Sequence, residues 1–329
     1  MRKNFMICLL AMFLVASMSI QALASGGEHQ SESKTAIILA SFGTTVPEAV
    51  NAITNIQDQI KKAFPGVPVK VTFTSNIIRS IWKKRQANAK EWLGKGVPEE
   101  VLYVKNIIAT FGDLQEEGYT DIIVQPTHMF FMEESSDLAA YVDAIRSIRT
   151  LKPKWRPFDK IALGRPALGT VGPQYDYHED IERAIQTLAG DFALAKKNKA
   201  ILVYMGHGNE HWSTGVYCET TKAMREMYPD VKTYIGSVEG YPAIDDVLRY
   251  LSAHAKGSKV MLKPFMIVAG DHATNDMASA EDDSWKTLIE KQGLKVMPVL
   301  QGLGTNDAFA EIFVDHIRDA AKDAGIALK

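Results

Sequence analysis

A repeated strand-and-loop unit constrains this chain more than any other feature. Thr35-Ala-Ile-Ile-Leu-Ala-Ser-Phe-Gly matches Lys199-Ala-Ile-Leu-Val-Tyr-Met-Gly-His at an offset of 164 residues. At the same offset Phe64-Pro65 falls on Tyr228-Pro229, and each pair precedes an apolar stretch, Val69–Thr74 and Val231–Ile235. Ile123-Val-Gln-Pro126 then matches Met261-Leu-Lys-Pro264 at an offset of 138, a register that sets Glu134 opposite His272. Two landmarks at one offset point to an old duplication, and strands alternating with helical periods make parallel sheets the default. The expectation is an α/β fold of two pseudo-symmetric lobes. Each is a parallel sheet flanked by helices, and a cleft lies between them.

The first residues fall outside that pattern. Arg2 and Lys3 precede an apolar run from Phe5 to about Ile20, and Ala22-Leu23-Ala24 supplies a small-residue cleavage site. This reads as a cleavable signal peptide over 1–24, so the chain is expected in the periplasm. The run is short of the roughly 20 apolar residues a span needs, so no stable membrane anchor is expected. Residues 25–34 are polar and read as a disordered leader. The N-terminal lobe is assigned to 35–190 and the C-terminal lobe to 191–329, with a crossover near Gly190–Asn198. A final amphipathic helix, Asp307 to about Ala324, packs back on one of the lobes. Cleavage removes Arg2, Lys3 and Cys8, taking the formal charge from −2 to −4 and leaving Cys218 alone. That balance gives no reason to expect nucleic acid, and a lone cysteine excludes an intramolecular disulfide.

In open α/β sheets, ligands collect at the carboxyl ends of strands. The apolar run Ala200–Met205 ends in Gly206-His207-Gly208, and the run Val260–Val268 leads to Gly270-Asp271-His272. Glu239 ends the strand between them, in Gly236-Ser-Val-Glu-Gly-Tyr-Pro. Two neutral imidazoles and a carboxylate suit a borderline divalent metal such as Co²⁺, Ni²⁺, Zn²⁺ or Fe²⁺. With positions left open, they make an exchangeable site. His211 lies four residues after His207, but on a glycine-containing loop, so the helical zinc-protease pattern does not apply. Neither Gly-x-x-x-x-Gly-Lys-Ser/Thr nor Gly-x-Gly-x-x-Gly opens a helix, so no nucleotide is expected.

These residues carry a resemblance. Met205-Gly-His-Gly, Ser237-Val-Glu-Gly-Tyr-Pro and Pro264–Ala278 closely resemble the anaerobic sirohydrochlorin cobaltochelatases, class II chelatases related in fold to ferrochelatase. Ala40-Ser-Phe-Gly-Thr, Gln125-Pro-Thr-His, Asp282-Asp-Ser-Trp-Lys and Gln301-Gly-Leu-Gly extend the likeness from about Thr35 to Ile317. The resemblance implies an ATP-independent enzyme that inserts Co²⁺, or Fe²⁺, into the tetrapyrrole sirohydrochlorin. It implies His207 and His272 as metal-binding and proton-accepting histidines and Glu239 as the metal-binding glutamate. It also implies an acid from the opposing lobe at Glu134, or Glu133 if the register slips by one. The alternative from another class is a periplasmic carrier of a tetrapyrrole or metal without catalysis.

Further residues are expected around the macrocycle. Phe42, Gly43 and Thr44, at a helix start, are candidates to hold a substrate carboxylate through backbone N–H groups. Met129, with Phe130, Phe131 and Met132, forms either an apolar wall or core. Arg79, Lys83, Lys84 and Arg85 are either a carboxylate-binding cluster or a solvated helix face. His128 is a buried polar residue, a supporting base, or an axial ligand for a haem at a surface or interface. His178, His254 and His316 fall in helical patterns with no chemical company. Homo-oligomerisation stays open.

Overall fold

The structure, a computed structural model, describes residues 33–328 apart from Pro173 and Lys256. The signal-peptide segment, Cys8, His29 and nearly all of the polar leader lie outside the described residues. Eight strands form two parallel sheets. The first holds β1 (Thr35–Ser41), β2 (Val69–Phe73), β3 (Asp121–Pro126) and β4 (Lys160–Leu163) in the order β2-β1-β3-β4. The second holds β5 (Ala200–Gly208), β6 (Thr233–Glu239), β7 (Lys259–Pro264) and β8 (Lys295–Pro298) in the matching order β6-β5-β7-β8. The expected pair of parallel α/β lobes is what the chain builds.

In the first lobe the helices are α1 (Asn51–Ala63), α2 (Asn76–Arg85), α3 (Ala89–Gly94), α4 (Glu99–Leu102), α5 (Ile107–Glu116) and α6 (Glu133–Ser147). Two connecting helices follow, α7 (Tyr177–Thr187) and α8 (Ala189–Asn198). The second lobe carries α9 (Gly215–Met227), α10 (Ile244–His254), α11 (Trp285–Glu290) and the terminal α12 (Asp307–Ala324). The stretch expected as a plain crossover, Gly190–Asn198, is thus a helix, stopped by Lys199 in the left-handed conformation. Strand β8, at the start of the short apolar run Val296–Leu300, pairs with β7. Among the described residues no helix is long and apolar enough to cross a membrane.

Strands buried on both faces explain the near-continuous apolar runs. Along β1, Ile37 and Leu39 face a core shared by both lobes, while Ala36, Ile38 and Ala40 face an outer core under α5 and α6. Along β5, Leu202 and Tyr204 face the shared core, and Ile201, Val203 and Met205 face a separate outer core under α10 and α11. The terminal helix supplies Phe309, Phe313 and Ile317 to the shared core and packs against α1, β3 and β4, on the first lobe. Asn306 caps its start, accepting from the Ala308 N–H at 3.0 Å.

The ladders correct the register of the repeat. Ile37 pairs with Ile123, and Leu202 pairs with Met261. Keeping Ile123 and Met261 equivalent makes Ile37 and Leu202 equivalent, an offset of 165 for β1 and β5 where sequence similarity suggests 164. A one-residue slip turns every side chain to the opposite face, and the shared burial of Ile37 and Leu202 selects 165. Phe42 then stands where His207 stands. Gly43 and Gly208, with φ of +97° and +81°, occupy one position in the two lobes.

His316 is not solitary. It is buried between the Arg165 carbonyl, 3.0 Å from Nδ1, and Asp180, 3.1 Å from Nε2. Arg165 binds the Asp180 carboxylate through Nε and Nη2, at 2.7 and 2.9 Å, and reaches Asp319 at 2.8 Å. This network ties α12 to α7 and the segment after β4. Burial works against the Asp180 charge, but His316 and Arg165 hold its carboxyl below the ordinary value. His178 contacts Asp176 and, at 3.7 Å, Glu219 of α9, and His254 faces the Tyr250 carbonyl one turn back.

Candidate active site

The carboxyl ends of the strands in both sheets border one cavity of about 500 Å³. From the first lobe come Phe42, Gly43 and Thr44 after β1, Ile77, Ile78 and Ile81 on α2, and Thr127, His128, Met129 and Met132 after β3. From the second come His207, Met266–Val268 and Gly270–His272. The wall is largely apolar with a few polar groups, the usual character of a small-molecule site.

His207 and Glu239 meet because the ends of β5 and β6 approach closely. Gly208 pairs with Glu239 across the ladder, and a Cβ on Gly208 would stand 1.8 Å from the Glu239 carbonyl oxygen. Only glycine fits that gap at positive φ. The His207 Nδ1 lies 3.2 Å from the Gly208 carbonyl and 3.8 Å from Glu239 Oε2. His272 Nδ1 contacts Asp276 Oδ2 at 2.5 Å across a single π-helical turn, Ala273–Met277. Both Nδ1 atoms face acceptors only, so each donates its proton there and Nε2 keeps its lone pair. The two rings stand edge to face with centroids 5.0 Å apart.

Glu134 approaches from the opposing lobe, at the start of α6. Burial pushes its carboxyl above the ordinary value, against the pull of its own backbone N–H and of His207. Glu239 acts on it in the same direction as burial, and Oε2 has no hydrogen-bond partner. Glu133 instead points outward, 3.4 Å from His211. Of the two acids, Glu134 is the one that interacts with His207.

Among the described residues no three His, Cys, Asp or Glu side chains close into a ready-made metal cluster. His207 is the hub, paired separately with Glu239 and His272.

Other expectations resolve differently. Of the N–H groups offered to a carboxylate over Phe42–Thr45, that of Gly43 donates to Ser41 Oγ at 3.3 Å, and just beyond them Val46 donates to Thr44 Oγ1 at 3.1 Å. The Phe42 ring lies 5.8 Å from that of His207. Met129 and Met132 line the cavity, whereas Phe130 packs on Tyr217 and Phe131 on Trp212. Arg79 donates to the Phe73 and Thr74 carbonyls and to Asn76. Arg85 donates to the Thr45 carbonyl at 2.6 Å and covers Trp82 and Trp92. These arginines brace α2 over the cavity; Lys83 and Lys84 face solvent. His128 is 2% exposed, enclosed beside the cavity and not presented on an outer surface to a haem. The apolar face of α2 is masked in the sequence by the charges around it, although Ile77, 74% exposed, signals an unfilled contact.

The comparisons with known proteins bear on the family and the fold. The family model for cobalt chelatase (CbiK) matches residues 35–322. Sirohydrochlorin cobaltochelatase CbiKC of Nitratidesulfovibrio vulgaris (strain Hildenborough) is 30% identical over 89% of this chain and 93% of its own length. Sirohydrochlorin cobaltochelatase of Salmonella typhimurium (strain LT2) is 29% identical over 87% of this chain and 96% of its own. Among solved structures, SirB from Bacillus subtilis with Fe³⁺ superposes with a TM-score of 0.56 at 14% identity, covering 90% of this chain and all of that one. DR2241 from Deinococcus radiodurans, a multi-domain protein with structural similarity to chelatases, gives 0.51 at 12% identity over 88% of this chain and 56% of that one. These two bear on the fold alone. With the match running from the first strand into the terminal helix, the chain belongs to the cobalt chelatase (CbiK) family.

Proposed function

We propose that this protein inserts Co²⁺ into sirohydrochlorin without nucleotide hydrolysis, using His207 and His272 as metal ligands and proton acceptors. The observation that carries this reading is the pair of imidazoles at 5.0 Å whose Nδ1 atoms are occupied and whose Nε2 lone pairs are left for a ligand. Insertion releases two protons as M²⁺ replaces the two inner N–H hydrogens of the macrocycle. The metal must also shed water. A neutral imidazole can hold a divalent ion and can accept a proton near neutral pH. In this reading Glu239, beside His207, steadies the incoming ion. Glu134, half-buried in the opposing lobe with its carboxyl biased toward the neutral form, exchanges a proton from the other face. The apolar faces of Phe42, Ile78, Ile81, Met129 and Met132 receive the ring.

Nitrogen donors with one carboxylate accept Co²⁺, Fe²⁺ and Ni²⁺, so supply and geometry select the ion. The apolar run Phe5–Ile20 with Ala22-Leu23-Ala24 supports export before activity. The test is an absorbance assay on purified protein with sirohydrochlorin and Co²⁺, Fe²⁺ or Ni²⁺ in parallel. Co²⁺ insertion well above the protein-free rate is expected. Tight binding of sirohydrochlorin with no acceleration by any ion would leave a carrier.

A further inference from the structure

His128 lies two residues beyond the end of β3, in the cavity wall, 2% exposed. Its Nδ1 stands 2.8 Å from Ser135 Oγ, and that hydroxyl donates its only proton to the Phe130 carbonyl at 3.3 Å. Ser135 Oγ is therefore the acceptor and His128 Nδ1 the donor. The second nitrogen, Nε2, is left as a lone pair, and it has no partner. The neighbouring Thr127 Oγ1, also in the cavity wall, has none either. A buried acceptor without a donor costs about as much as a lost hydrogen bond. The fold does not impose that cost: Met266, at the equivalent position after β7, fills the same place with an apolar side chain.

We infer that His128 Nε2 is the hydrogen-bond acceptor for an inner pyrrole N–H of the free-base macrocycle, and so distinguishes substrate from metallated product. The inference rests on the tetrapyrrole reading above. Sirohydrochlorin carries ionised carboxylates on its rim, which only accept; its inner N–H groups are its donors. A lone-pair acceptor in this cavity matches only those. Burial holds the His128 imidazole down to about 4, so at neutral pH it accepts a hydrogen bond without taking the proton. Metal insertion removes both inner N–H groups and leaves Nε2 unpartnered again, which favours release of the product.

The test compares wild type, His128→Leu and His128→Gln in fluorescence titrations with sirohydrochlorin and, separately, with its cobalt complex. His128→Leu removes the acceptor; the amide oxygen introduced by His128→Gln restores one at similar reach. His128→Leu should weaken free-base binding about five- to tenfold, the worth of one hydrogen bond. It should leave the cobalt complex within about twofold, and His128→Gln should recover most of the loss. Equal weakening of both ligands, weakening confined to the cobalt complex, or no change would each overturn the inference. Independently, ¹⁵N-resolved NMR of ligand-free protein should show His128 as the Nδ1–H tautomer at neutral pH, a readout that needs no variant to fold; the Nε2–H tautomer would overturn it. Wild type binding neither ligand would instead remove the tetrapyrrole reading itself.

Discussion

His207 and His272 stand edge to face, ring centroids 5.0 Å apart, each with Nδ1 engaged by an acceptor of its own. One ring closes β5 and the other opens the turn after β7, so their meeting depends on the β5–β7 pairing at the sheet centre. The edge strands β6 and β8 flank that pair, and β6 brings Glu239 beside His207.

Asp276 fixes His272 in the tautomer that keeps Nε2 unprotonated. Partners of this kind are typically worth about 10- to 100-fold in metal affinity or activity. Asp276→Asn should lower the insertion rate by about that factor and leave the melting temperature nearly unchanged, since the pair is partly exposed. Steady-state insertion kinetics alongside a thermal melt check both halves.

Glu134 is a half-buried carboxyl whose folded-state value lies above its unfolded one. Such a group favours the fold while protonated and loses that benefit as pH rises from the unfolded value through the folded one. At neutral pH the group therefore weakens the fold. Glu134→Gln should raise the melting temperature at about pH 7, with the gain vanishing below about pH 4. The same variant should slow insertion. A stability loss at neutral pH would contradict this account of the residue.

The opposite sign applies to His128. Burial lowers its value to about 4, so the folded state resists the proton that the unfolded chain takes up near 6.5. Stability from this residue is complete above about pH 6.5 and is lost as pH falls to about 4, on the order of 3 kcal/mol. Urea unfolding of wild type and His128→Gln across that range should show a shallower acid slope in the variant.

Asp180 binds Arg165 and His316 under the terminal helix. Asp180→Ala strands both partners in a buried site and should cost about 3 kcal/mol or more. Protein that still folds should retain insertion activity, because the network lies apart from the cavity residues. Urea midpoints and assay rates on the same preparation separate the two effects.

Much of this is legible in the chain itself. Strand runs such as Ala200–Met205 are apolar because both faces are buried, and helical spacing with an Asn cap marks Asp307–Ala324. Which lobe receives that helix is not legible, since an amphipathic face states only that something covers it. Local similarity aligns Thr35 with Lys199, one residue from the equivalence the two sheets adopt, because residue likeness does not report which face of the strand is buried in the shared core. The positions of His207 and Glu239 follow from strand ends, whereas β7 stops at Pro264, eight residues short of His272. The roles of Arg79 and Arg85 do not, because a guanidinium reads alike in sequence whether it meets a substrate carboxylate or a backbone carbonyl.

The central claim is that His207 and His272 act together on metal and macrocycle. Its most direct test is the initial rate of cobalt insertion into sirohydrochlorin by wild type, His207→Ala and His272→Ala, with folding verified for each. The account predicts a loss of at least about 100-fold in either variant, toward the protein-free rate. Insertion at the wild-type rate by either variant would contradict it.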